Sequence, residues 1–219
     1  MDTLSAIAKR RSVRRYKNVP LEWEKLSLVL DAGRLAPSAG NLQSWKFIVV
    51  QEQSRKNEIA EACLEEMWIA EAPAVIVICA EPEKQEHYYG IRGERLYSIQ
   101  NCSAAAQNML IAATALGLGS CWVGAFDENK VRDILAIPTE IRPQIIITIG
   151  YAAEQPEEPQ KYPPETVVYF ESWRGKIKDV PFVMGWYSIK MQQMMDKSKQ
   201  MAMKAGKSMV EKAKEMIKK

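Results

Sequence analysis

Between Ser98 and Gly119 the chain reads SIQNCSAAAQNMLIAATALGLG, its most apolar helical segment, and this stretch limits the possible folds more than any other. Ala104, Ala105, Ala106, Ala112, Ala113 and Ala115 keep its sides small, so another helix can approach closely. Two readings fit: a central core helix, or a core helix that also forms a subunit interface. Gly117 and Gly119 end the segment and lead into a short strand at Ser120 to Val123.

Around it the apolar pattern gives a coarse map. Leu4, Ile7 and Ala8 predict a first helix ending at Arg10, and Leu26, Val29, Leu30, Gly33 and Leu35 predict a second between Pro20 and Pro37. The runs Phe47 to Val50, Ala74 to Cys79 and Gln144 to Ile149 are short and rich in β-branched residues, as buried strands are. A further helix is expected near residues 54 to 66. The four prolines of AAEQPEEPQKYPP, from Ala152 to Pro164, predict an extended arm, after which Thr166 to Phe170 reads as one more strand. Helices and strands alternate without an even βαβ rhythm, so the expected class is α+β.

Several functions are excluded by what is missing. The longest apolar runs fall far short of the ~20 residues that cross a bilayer. The opening MDTLSAIAKRRS has no secretory h-region, which predicts a cytoplasmic protein. Cys63, Cys79, Cys102 and Cys121 show no CxxC spacing and read as buried reduced thiols. The single histidine, His87, stands in the polar stretch EKQEHYYG, read as a solvated loop, with no metal-ligand spacing and no nucleophile partner. The glycines at 117 and 119 lack the third member and the preceding strand of a dinucleotide fingerprint, and no phosphate-binding GxxxxGK[ST] loop occurs. No metal site and no catalytic side chain is nominated, so an enzyme built on this chain would take its reactivity from an organic cofactor.

Two stretches could hold one. Arg10-Arg11-Ser12-Val13-Arg14-Arg15 concentrates four guanidinium groups and a hydroxyl, which match phosphate oxygens, although a basic helix end alone would look the same. Ala36-Pro37-Ser38-Ala39-Gly40-Asn41-Leu42-Gln43-Ser44-Trp45 is dense in turn residues and in amides able to read a heterocycle edge.

RRSVR, APSAGNLQSWKFIVV, QNMLIAATALGLGSCWVGAFDENKVRDILAIP and ITIGYA, in that order, resemble the nitroreductase family of flavin mononucleotide (FMN) enzymes. The likeness covers residues 4 to 151 closely and 152 to 173 loosely. It implies an α+β fold with a central, mostly antiparallel sheet flanked by helices, and an intertwined homodimer holding two FMN molecules at the subunit interface. It implies that Arg10 and Ser12 contact the FMN phosphate, Arg11 contributes main chain, and Arg14 lies at the N1/C2=O edge of the ring. Pro37, Ser38, Ala39, Asn41 and Gln43 match a loop reaching the flavin from the other subunit, although Ser44 stands where the family usually has proline. Val123, Gly124 and Ala125 match the main chain facing flavin N5 and O4, and Lys161 matches a basic phosphate clasp that is usually arginine. The implied activity is that of an oxidoreductase, a flavoprotein that takes a two-electron hydride from NADH or NADPH through N5 and reduces nitroaromatic, quinone or related acceptors. The segment Glu81 to Tyr97 is expected to shape the pocket, and no nucleic acid partner is expected.

The expected organisation is an FMN-binding domain at 1–175, with its arm from 152, and a C-terminal extension at 176–219. Nine lysines against Asp196, Glu211 and Glu215 give residues 190–219 a net charge of +6, leaving −3 on the rest of a chain whose total is +3. Seven of the eleven methionines lie there too. Met191, Met194, Met195, Ser198, Ala202, Ala205, Met209, Ala213 and Met216 fall close to helical spacing, the pattern of an amphipathic helix. Such a helix is either a solvated or packed terminal helix, or a contact for a membrane or protein. The alternative function is therefore a non-catalytic flavin-binding sensor or adaptor acting through this tail.

Overall fold

Four strands make one sheet: β1 (Trp45–Val50), β2 (Ala74–Ala80), β3 (Gly119–Val123) and β4 (Arg142–Gly150). Their order is β1-β2-β4-β3, and every neighbouring pair is antiparallel. All seven residues of β2 are buried. Its alternate side chains serve two cores, Ala74, Ile76, Ile78 and Ala80 on one face and Val75, Val77 and Cys79 on the other. Helices therefore cover both faces, and an antiparallel strand reads in sequence as an unbroken apolar run.

The structure, a computed structural model, describes residues 1–176, 184–185 and 188–217. They form two compact units, Met1–Glu158 and Pro159–Lys219. In the first, α1 (Thr3–Lys9), α2 (Trp23–Arg34) and α6 (Ser98–Ala115) pack together, and α3 (Gln53–Ala62), α4 (Trp68–Glu71) and α7 (Glu128–Leu135) supply the opposite core. The helix that approaches the small-sided α6 is α2: a Cβ on Gly33 would lie 2.2 Å from Met109 Cε. Gly117 ends α6 with φ +77, and the Leu118 N–H closes back on Ala113 O at 2.8 Å.

Beyond β3 the chain's own N-terminal segment lies along the sheet. Ser12 pairs with Ser120 in parallel, and Tyr16 pairs with Ala152. Gly119 admits this segment, since a Cβ there would lie 2.9 Å from Val13 Cγ1. The Tyr16 hydroxyl donates to Val13 O at 2.7 Å and so accepts from Thr148 Oγ1, also at 2.7 Å. Burial raises the pKa of that phenol.

Two expectations are corrected. The stretch containing His87 is not a loop: Pro82–Arg92 is a helix, α5, continued by a π-helical turn at Gly93–Tyr97. Pro82 occupies its first turn, where its missing N–H costs nothing, and Gln85 is its one buried residue, so no apolar period marks it. The second concerns Thr166–Phe170: the second unit has a helical turn, α8 (Pro164–Val167), where a strand is expected. Pro164 starts it, and the Thr166 hydroxyl donates to Pro163 O at 2.7 Å rather than projecting from a pleat. That unit also holds the helix α9 (Ile189–Ile217). No helix among the described residues is long and apolar enough to cross a membrane.

Candidate functional site

The expected site residues fall into two groups, and the first forms where the N-terminal segment meets β3. The α1 helix stops at Lys9, and Arg11 folds back over its C-terminus, donating from Nη1 to Ala8 O at 2.7 Å and Arg10 O at 2.9 Å. It also reaches Glu158 at 3.6 Å. The Arg11 side chain is thus committed to the fold. Among the described residues, neither the Arg10 nor the Arg14 guanidinium is paired with a carboxylate. Arg14 instead stands over Trp68, its Cζ 5.7 Å from the ring centroid. The carboxylate of Glu154 accepts the main-chain N–H groups of Arg14 at 2.6 Å and Arg15 at 3.1 Å, fixing the backbone that presents them.

The chemistry of Cys121 reports how close these groups lie to β3. Burial raises its thiol pKa, while the Arg14 charge, the Ser12 hydroxyl and the Arg10 charge each pull it back. Val13 N–H to Ser120 O, 3.0 Å, ties the same segment to the strand. Residues 10 to 14 therefore lie along β3, the strand that Val123 ends and from which Gly124 and Ala125 lead out. Val123 is buried, whereas Gly124 and Ala125 are exposed. Two guanidinium groups without a carboxylate partner, a half-buried hydroxyl and the exposed main chain of Gly124 and Ala125 form a cationic edge that fits a phosphate and the acceptor side of a flavin ring.

The second group is the loop before β1. Gly40, Asn41 and Gln43 all have positive φ, +58, +54 and +50, so the turn is held rather than extended. The Ser38 hydroxyl accepts Gln43 N–H at 2.9 Å, and Gln43 Nε2 donates to Asn41 O at 3.2 Å. Beneath lies a buried polar node. Ser44 Oγ accepts from Asn101 Nδ2 at 2.9 Å and from Gln85 Nε2 at 3.1 Å, and Asn101 Oδ1 accepts Ala39 N–H at 3.0 Å. From above, the Tyr89 hydroxyl covers Gly40, where an added Cβ would meet it at 2.5 Å. Pro37, Ser38, Ala39, Asn41 and Gln43 are thereby fixed in one turn with the Asn41 side chain exposed.

Within one chain the two groups stand apart. One precedes β1 and the other is β3, and these are the outermost strands of the sheet. Three strand spacings, about 14 Å, separate them. Among the described residues no hydrogen bond, ion pair or ring contact joins the loop to the arginine segment. Lys161 belongs to the second unit, where it is exposed. A cavity of about 460 Å³ lined by Tyr16, Lys17, Gln53, Lys56, Asn57 and Glu71 contains none of the expected site residues. Lys56 is buried beside it and donates to Ala72 O at 2.7 Å, and burial lowers its pKa.

Residue patterns alone did not single out Glu154, Gln85 or Asn101 as structural supports. Asn101 is one of several polar residues in α6, with Gln100, Gln107 and Asn108, so its pattern alone does not mark it.

Comparison with known proteins bears on the fold and the family. The nitroreductase family model matches residues 7–75 and 66–151. A protein of Thermus thermophilus named NADH dehydrogenase is 32% identical over 201 residues, spanning 80% of this chain and 97% of its own. The FMN reductase, NAD(P)H, of Bacillus subtilis is 26% identical over 185 residues, spanning 78% of this chain and 74% of its own. The crystal structure of a nitroreductase family protein from Clostridium difficile 630 superposes with a TM-score of 0.70 at 31% identity, covering 79% of this chain and all of that one. With the motifs in order, an antiparallel sheet flanked by helices, and a family match over most of the first unit, the chain belongs to the nitroreductase family.

Proposed function

We infer that this protein is an FMN-dependent NAD(P)H oxidoreductase that works as a homodimer, each FMN held between the arginine edge of one subunit and the 37–43 loop of its partner. The observation carrying the reading is that the arginine segment and the 37–43 loop lie at opposite edges of one sheet, which a single chain does not bring together. The names of related proteins, NADH dehydrogenase and FMN reductase, agree with the activity. Exposed apolar side chains on helices that pack together, Leu4, Ile7, Leu28 and Ile99, offer surface for a second copy.

Bound FMN would supply the redox chemistry, taking a hydride at N5 from the nicotinamide and passing two electrons to the acceptor. The chain's part is to bind and tune. Arg10 and Ser12 hold the phosphate by charge-assisted hydrogen bonds. Arg14 stabilises negative charge at the N1/C2=O edge, and the Gly124 and Ala125 N–H groups donate toward N5 and O4. Exposed Gly124 leaves room for a planar ring against the main chain. The loop residues Pro37, Ser38, Ala39, Asn41 and Gln43 contribute polar atoms from the partner. No side chain is needed as acid or base. Nitroaromatics, quinones and related compounds are the acceptors proposed, and the cytoplasm, where NADH and NADPH are supplied, is the proposed location.

The test is direct. The purified protein, or protein reconstituted with FMN, should be yellow and should bleach anaerobically on addition of NADH or NADPH. Colour without bleaching by either donor would leave a flavin binder and sink the reductase reading. A protein that stays colourless after reconstitution would sink the FMN assignment altogether.

A further inference from the structure

The 29-residue α9 helix lies outside the family match, which ends at residue 151, and the reductase reading assigns it nothing. Along it, Met191, Met195, Ser198, Ala202, Ala205, Met209, Ala213 and Met216 recur every third or fourth residue, so one stripe runs the length of a rod about 43 Å long. Lysines 197, 204, 207 and 214 occupy the opposite side of the helical repeat, and Lys199 and Lys212 flank the stripe. On the stripe, Ser198 and Ala202 are exposed and Met191 and Met195 are half-buried.

Three occupants would suit a basic amphipathic helix, and the residues favour one. Pairing with a second α9 is disfavoured, because Ser198, Ala202 and Ala205 offer little volume at the seam and the lysines would be brought together. A protein groove usually takes a few large apolar anchors in a short span, whereas this stripe is shallow and its charge is spread from end to end. A shallow stripe with cations along its whole length matches an extended anionic plane. Residues 190–219 carry +6 while the remainder carries −3, so an anionic surface attracts the helix and not the body. No described helix is apolar enough to span, which leaves lying in the interface.

We propose that α9 is an electrostatic membrane anchor, which adsorbs along an anionic phospholipid bilayer with its methionines in the interface and its lysines against the headgroups. This goes beyond the reductase reading and does not depend on it.

Co-sedimentation of the full chain with vesicles tests the proposal. Binding is expected to vesicles of phosphatidylcholine mixed with phosphatidylglycerol and not to phosphatidylcholine alone. It should be lost at about 1 M salt, where screening shortens to about 3 Å. The variant K197Q/K204Q/K207Q/K214Q should partition roughly 1,000-fold more weakly. The variant M191Q/M195Q/M209Q should also bind less while keeping its salt dependence. In both variants, an unfolding transition matching that of the parent protein checks that the body is intact. Equal sedimentation with neutral and anionic vesicles, or none with either, overturns the proposal. So does a methionine variant that binds like the parent, because the lysines would then act without the helix face. Binding to an acidic protein or to nucleic acid in a chain that ignores anionic vesicles overturns it as well.

Discussion

The two halves of the candidate site are built by different means. The arginine edge is held largely by main chain, with the Glu154 carboxylate added on the Arg14 and Arg15 N–H groups: Ser12 pairs with Ser120, Lys17 N–H bonds Tyr151 O at 2.8 Å, and Ala153 N–H bonds Arg15 O at 2.9 Å. The loop before β1 is held by side chains, those of Ser38, Ser44, Gln85 and Asn101. Main-chain pairing survives a change of side chain, so residues at the arginine edge are free to be chosen for what they bind. In the loop, position and chemistry are coupled, and replacing a support moves the residues it supports.

The largest effect should follow Asn101→Leu. It removes the acceptor for Ala39 N–H and the donor to Ser44 inside a buried site, at a cost of about 3 kcal/mol. Urea unfolding would show the loss, with weaker FMN binding alongside. The double variant Arg10→Ala with Ser12→Ala is expected to behave oppositely, with FMN affinity down roughly 30-fold, about 2 kcal/mol, and unfolding stability changed by less than about 0.5 kcal/mol. A large stability loss there would erase the contrast, and unchanged affinity would remove the phosphate assignment. Ser44→Ala leaves two buried amide donors without an acceptor, so a loss of about 1–2 kcal/mol is expected with a smaller effect on FMN. A neutral Ser44→Ala would mean the loop is held some other way.

The last effect is absent at neutral pH and appears only as pH is raised. Burial pushes the Cys63, Cys79 and Cys102 thiols up to about 12 from an unfolded value near 9. Below pH 9 both states keep the proton and stability does not depend on these groups. Between 9 and 12 the unfolded chain loses it first, so each thiol lowers stability by about 1 kcal/mol per pH unit. Cys121 is shifted upward too, but nearby Arg14 and Arg10 offset part of the rise. Alkylation followed by peptide mapping as pH is raised should therefore mark Cys121 first, and Arg10→Ala should delay it. Simultaneous labelling of all four would place the guanidinium groups farther from β3.

How much of this is legible from sequence depends on whether a residue answers to the core. The strands could be read because Ala74 to Cys79 and Gln144 to Ile149 are buried on both faces, and the end of α6 because Gly117 takes a left-handed turn. The α5 helix could not, since one buried residue, Gln85, leaves no period to detect. Val167 and Val168 favour a strand locally, yet Pro163 and Pro164 had already set a helical turn. In the site, RRSVR and the turn residues announced themselves by chemistry. The supporting node stayed hidden because Ser44, Gln85 and Asn101 are far apart in sequence and meet only once β1, α5 and α6 are in place.

The separation of the half-sites across the sheet has a genetic reading. If each site draws one edge from either subunit, a chain with a defective arginine edge and a chain with a defective loop are each inactive alone. Mixed, they form heterodimers in which one of the two sites receives both good halves and the other receives both bad ones. Two null alleles of different type should then complement each other, while two of the same type should not.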